Sequence, residues 1–198
     1  MKIVVLVEGK TEIAFKPTLH NFLRPRLEQM PRIQFRKFDR RIPKAEKLRR
    51  LVETFLDDCD AVIALTDVYT GAGDFADAAD AKKKMRAWVG ENPHFYPHAA
   101  QHDFEAWLLP FWPTIQKLAG HNKSAPSGLP EQVNHNNPPS YRIKEIFELG
   151  QRRDSYAKWR DAKRILEKND LLLSVQACPE LRSFVNTILS LCGGKLIV

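Results

Sequence analysis

Hydrophobic residues are grouped along this chain in short blocks, and the spacing within each block predicts the element it forms. Residues 2–7 are a continuous apolar, β-branched run that stops at Glu8 and Gly9, as expected of a central parallel strand buried on both faces. Behind that turn Phe15, Leu19, Phe22, Leu23 and Leu27 recur at helical spacing, with Thr11 placed to cap the helix. Residues 33–38 alternate apolar and basic side chains and suit a strand nearer a sheet edge. Pro43 opens a second helix whose apolar face is Leu48, Leu51, Val52, Phe55 and Leu56. Residues 61–65 make the next buried strand, ending at Thr66 and Asp67. A loop precedes an Ala- and Lys-rich helix over 75–89, expected to be largely exposed. Residues 95–100 form a fourth strand, and a short helix starting near His102 is interrupted by Pro110.

Strand and helix thus alternate through residues 1–120. The pattern predicts an α/β core, Rossmann-like, with a mostly parallel central sheet flanked by helices. Residues 121–139 are rich in Asn, Pro, Ser and Gly and suit a surface loop or hinge. Short helices follow over 143–147, 156–166 and 181–191, the last stopped by Gly193 and Gly194, and residues 195–198 could add a terminal strand. The expected division is a core over 1–120 and a loop with a helical C-terminal extension over 121–198, packed on the core. Ligands of such sheets bind at the carboxyl ends of the strands. Acidic residues cluster at three of those ends: Glu8, Asp67 and the pair Asp103 and Glu105.

Composition narrows the partners. At 43% apolar residues the chain can bury a core, and a net charge of +7 favours polyanions such as nucleic acid or an anionic membrane surface. The cysteine count is odd: Cys59, Cys178 and Cys192 form no close pair, which speaks against a disulfide framework and a structural zinc site. The N-terminal apolar stretch is too short for a signal peptide, and no run approaches the ~20 residues that span a bilayer. The expectation is a cytoplasmic protein with no membrane partner.

Four motifs could carry chemistry. In Glu8-Gly9-Lys10-Thr11-Glu12, two carboxylates one helical turn apart suit Mg²⁺, which takes few hard oxygen ligands and keeps its waters; Glu12 could instead serve the helix N-terminus electrostatically. The spacing of a phosphate-binding P-loop is absent. Asp67, at the end of a buried strand with Asp74 downstream, occupies a metal or catalytic position, or is an acidic turn residue. Glu105 faces the strand ends or serves its own helix; His102 positions a phosphate or a water, or is a surface histidine. Tyr141 and Arg142, with Tyr156, Lys158 and Arg160, could track a phosphate backbone and stack bases, or form a solvated helix face. Acyl-transfer motifs are missing.

In their order and spacing the segments VEGKTE, TDVYTGAGDF, HDFEAWLL, LPEQVNHNNPPSYRI, YAK and CPELRSFV resemble a bacterial family, domain of unknown function 4276. That family is similar to the TOPRIM domains of overcoming-lysogenization-defect (OLD) nucleases. The resemblance implies a TOPRIM fold and a Mg²⁺ site, with Mn²⁺ as an alternate ion. Glu8 matches the glutamate that follows the first strand, Glu12 the second acidic residue of the OLD-type turn, and Asp67 the first aspartate of an Asp-x-Asp pair. Tyr69 stands where the second aspartate belongs, and Asp74 or Glu105 would supply the missing carboxylate. It also implies phosphodiester cleavage, an ATPase partner and a place in phage defence. Glu8, Glu12, Asp67 and Glu105 are then the catalytic and metal-binding candidates, and Lys10, His102 and Arg142 the substrate-binding ones. The alternatives are a non-catalytic TOPRIM-fold subunit of an ATPase and a simple nucleic-acid-binding module.

Overall fold

The four apolar runs become the parallel strands β1 (Lys2–Val7), β2 (Arg32–Lys37), β3 (Ala61–Asp67) and β4 (Phe95–Ala100). The computed structural model, which describes residues 1–38, 41–68, 73–134, 136–150 and 156–198, orders them β2-β1-β3-β4 in one sheet. Strand alternation sorts their side chains into two layers. Ile3, Val5 and Val7 of β1 join Ala61, Ile63 and Leu65 of β3 in one core cluster, against Phe15, Leu19, Phe22 and Leu23 of helix α1 (Lys10–Leu23). Val4, Leu6, Val62 and Ala64 point the other way, onto α2 (Ala45–Leu56) and α3 (Ala78–Val89). Burying each of these Val, Ile and Leu side chains contributes about 1.5–3 kcal/mol.

The α1 layer continues through the rest of the chain. A fully buried 3₁₀ helix (Phe104–Phe111) leads into α4 (Trp112–Ala119), α5 (Pro139–Leu149), α6 (Lys158–Leu166), α7 (Leu171–Ala177) and α8 (Pro179–Leu191). All of them contribute to the same apolar cluster. Its centre is aromatic: Trp107 packs on Phe15, Phe104 and Phe184 with ring centroids 5.3–6.3 Å apart. The indole Nε1 donates to Glu131 Oε1 at 2.9 Å, and the two Glu131 oxygens accept the backbone N–H of Glu180, each at 3.1 Å. One carboxylate therefore satisfies the core tryptophan and an orphan donor of the α8 N-terminus.

Several boundaries differ from expectation. Gly9, not Thr11, is the N-cap of α1, and Thr11 is buried inside the first turn. Helix α2 begins at Ala45, after Pro43, and α3 begins at Ala78 because Asp77 caps it by accepting from Asp80 N. Four residues of α3 are buried, so its small side chains serve close packing on the sheet. The segment around Pro110 is 3₁₀ rather than α and starts at Phe104, and α7 was not anticipated. Residues 195–198 add no strand: Asn186 of α8 holds Ile197 through paired amide hydrogen bonds of 2.9 Å. Among the described residues no helix is long and apolar enough to cross a membrane.

Candidate functional site

Four carboxylates from four segments meet at the C-terminal end of the sheet. Glu8 follows β1, Glu12 stands one turn into α1, Asp67 ends β3 and Glu105 lies in the 3₁₀ helix. With Lys10, Lys37 and Lys158 they line a cleft of about 400 Å³. Asp103, the residue that caps the 3₁₀ helix, adds its charge to those of Asp67 and Glu105.

Burial in this cluster disfavours ionisation. Burial pushes Glu8 up to about 7, against the hydrogen bonds from Thr66 and Ile42. Burial and then the Asp103 charge push Glu105 up to about 7, against Lys158. Asp67 is held well above the carboxylate range, first by burial and then by Glu12, Asp103, Glu8 and Glu105. Glu12 and Asp103 are raised by burial as well. Glu105 is 1% exposed and Asp103 is 3% exposed, so water does little to screen them. Asp103 Oδ2 accepts from Ser140 N at 3.2 Å, while its Oδ1 is buried without a hydrogen-bond partner.

Each acidic residue is held differently. Glu12 is the third residue of α1, and the backbone N–H groups of Glu12, Gly9 and Glu8 favour its charged form, as in half of a capping box. A Cβ on Gly9 would lie 3.2 Å from Glu12 Oε2, so a side chain there would crowd this carboxylate. Glu8 Oε1 accepts a short hydrogen bond from Thr66 Oγ1 and a longer one, 3.5 Å, from Ile42 N. Glu105 Oε1 accepts from Tyr156 OH at 3.2 Å, and its Oε2 lies 3.4 Å from Lys158 Nζ. Burial pulls the Lys158 pKa down, but the charges of Glu105, Asp103 and Asp67 override it and keep the amine a cation. Burial and Glu105 hold the Tyr156 phenol well above its usual range.

The parallel register explains how the carboxylates spread. Val7 pairs with Leu65, so Glu8 falls beside Thr66 and leans toward the α2 side. Asp67, two residues beyond Leu65, leans toward α1, the 3₁₀ helix and Lys158. Among the described residues no three acidic, His or Cys side chains form a ready-made metal-binding group. Mg²⁺ asks for less than that, since it commonly binds one or two carboxylates and completes its shell with water.

Other sequence candidates lie elsewhere. Asp74 is outside the cleft, ion-paired to Arg41 at 3.1 Å and Lys44 at 2.6 Å. These partners, Lys44 first, hold it below the usual carboxylate range. Arg142 does not line the cleft; its Nη1 is 3.9 Å from Glu145 Oε2 and its Nε is buried without a partner. His102 also stays off the cleft lining, with a left-handed φ of 70° and a pKa lowered by burial. Tyr69 lies outside the described residues. A larger cleft of about 680 Å³ runs along the outer edge of β4, between α3 and α8. It lacks the carboxylate convergence, and its His98 is kept neutral by burial and the charges of Lys82 and Arg86, with a pKa of about 3.

The sequence matches the family described as Domain of unknown function (DUF4276) over residues 7–189. The chain belongs to that family. No curated protein matches it. Among solved structures, the DUF4276 chain is similar to the C-terminal region of the Burkholderia pseudomallei OLD protein, at 13% identity and a TM-score of 0.57, covering 96% of this chain and 98% of that one. It also matches the C-terminal region of the Xanthomonas campestris pv. campestris OLD protein, at 13% identity and a TM-score of 0.43, covering 92% and 95% of the two chains. The first of these likenesses carries the fold: this DUF4276 chain is an α/β protein of the TOPRIM-like class.

Sequence spacing in the DUF4276 chain missed the roles of Asp103, Tyr156 and Lys158. Asp103 stood out only as half of an acidic pair. Tyr156 and Lys158 were grouped as a stacking and phosphate-tracking surface, whereas Tyr156 is committed to Glu105. The signal that could have found them is the run Tyr-Ala-Lys just before an amphipathic helix.

Proposed function

We propose that this DUF4276 chain is a Mg²⁺-dependent nuclease, with Mn²⁺ as an alternate ion, that hydrolyses nucleic-acid phosphodiesters in the acidic cleft. One observation carries the proposal: five carboxylates gather at the C-terminal end of a parallel sheet, with pKa values raised by burial and by one another. Such a cluster is costly to ionise unless a cation answers it. The donor set fits a hard divalent ion, being all carboxylate oxygen, and the unpartnered Asp103 Oδ1 is a buried acceptor of the same kind. Glu8, Glu12, Asp67 and Glu105 would hold the ion. When bound, it would neutralise phosphate charge and lower the pKa of a water.

The rest falls to the side chains. Lys10 and Lys158 bring positive charge to the cleft lining, where they would draw the substrate phosphates. Glu8, with a pKa of about 7, is suited to accept a proton at neutral pH. Its Oε1 is engaged by Thr66 and Ile42, so Oε2 is the oxygen that would take it. The resemblance to OLD nucleases extends the proposal to a cytoplasmic role in phage defence beside an ATPase partner.

The wider spread of Glu8 and Asp67 favours a second reading, a binding-only TOPRIM-fold subunit of an ATPase. Incubating supercoiled plasmid, linear DNA and RNA with Mg²⁺, Mn²⁺ or EDTA separates the two. Metal-dependent cutting by wild type, abolished in folded Glu8→Ala and Asp67→Ala proteins, supports the nuclease. Equal cutting by these variants contradicts it, and an inert wild type favours the subunit.

A further inference from the structure

We propose that Trp159 is a stacking platform for an unpaired base of single-stranded nucleic acid entering the acidic cleft, an inference that rests on the cleft being a phosphodiester site. Trp159 is 51% exposed, although large aromatic side chains are normally well buried. Among the described residues its ring stacks on no aromatic ring and sits under no cation. The opposite face of α6 accounts for the packing of that helix: Asp161, Ala162, Ile165 and Leu166 are buried. The exposed indole therefore contributes nothing evident to the fold.

Its position is specific. The neighbouring residue, Lys158, lines the acidic cleft and pairs with Glu105. Adjacent Cα atoms are about 3.8 Å apart, so Trp159 stands at the cleft mouth, at a separation comparable to that between a nucleotide phosphate and its own base. Lys163, four residues on, shares the solvent face of α6 with Trp159 and is exposed. An exposed aromatic plane beside lysines is the combination that holds single strands, whose bases are free to leave the backbone line. In a duplex the bases are paired and stacked, so they cannot reach this ring.

The test is fluorescence anisotropy of a labelled oligothymidylate and of a duplex of equal length, in Ca²⁺ and again in EDTA, with wild type, Trp159→Ala and Trp159→Phe. The expected result is a loss of about tenfold in single-strand affinity for Trp159→Ala, the size of one base stack. Trp159→Phe should recover most of it, and duplex affinity should stay within about twofold. Unchanged single-strand binding in Trp159→Ala, or an equal loss on duplex, overturns the proposal. Because cleavage is not read, a protein that binds single strands through Trp159 but never cuts contradicts the nuclease while supporting the stack.

Discussion

Glu105 Oε2 lies 3.4 Å from the Lys158 ammonium, and this ion pair ties the 3₁₀ helix to α6 across the acidic cleft. Lys158 also lowers the pKa of Glu12 and Asp103, so one ammonium serves several carboxylates. The remaining negative charge is what makes the cleft pH-sensitive and a candidate cation site.

The first expected outcome concerns stability. Glu8 and Glu105 have folded pKa values of about 7, above their ordinary value of 4.5. A carboxyl raised on folding contributes stability that is full below the unfolded pKa and is lost as pH rises through the folded one. Metal-free protein should therefore have a Tm several degrees lower at pH 8 than at pH 5.5, by thermal melts in EDTA. Millimolar Mg²⁺ or Mn²⁺ should narrow that gap by binding the ionised, folded form. A Tm that rises steadily from pH 5.5 to 8 in EDTA would sink the electrostatic picture of the cleft.

Asp103→Asn separates stability from binding. The amide keeps an oxygen for Ser140 N and removes one of the five mutually repelling charges. The metal-free variant should melt above wild type at pH 8, while its Mn²⁺ affinity falls several-fold. Lower stability with unchanged affinity would make Asp103 a structural residue only.

Glu131 belongs to the architecture rather than the cleft. In Glu131→Gln one charged acceptor is lost between Trp107 and the α8 N-terminus. Urea unfolding should show a loss of about 1–2 kcal/mol, the range for a charge-assisted hydrogen bond, with divalent-ion affinity unchanged. A variant as stable as wild type would show that the Trp107 bond alone suffices.

The strands were legible because their signal is local. Residues of β1 and β3 are β-branched or small and buried on both faces, so a continuous apolar run identifies them without tertiary information. Glu8, Asp67 and Glu105 were legible for a related reason, each marking where a buried segment meets polar chain. Asp74 was not, because its pairing with Arg41 and Lys44 joins segments remote in sequence and leaves no trace in spacing. The 3₁₀ geometry of residues 104–111 is likewise set by burial on every side, which periodicity does not encode. Tyr156 reads as a surface aromatic until α6 brings it against Glu105.

Isothermal titration of Mg²⁺ and Mn²⁺ into wild type and Asp67→Asn at pH 8 tests the central claim most directly. Wild type should bind at least one ion, with proton release when the titration is repeated near pH 7, where Glu8 and Glu105 are partly protonated. Asp67→Asn should lose at least about tenfold in affinity with an unchanged circular dichroism spectrum. Wild-type heats indistinguishable from buffer, or equal affinity in the variant, would contradict a divalent-cation site in the acidic cleft.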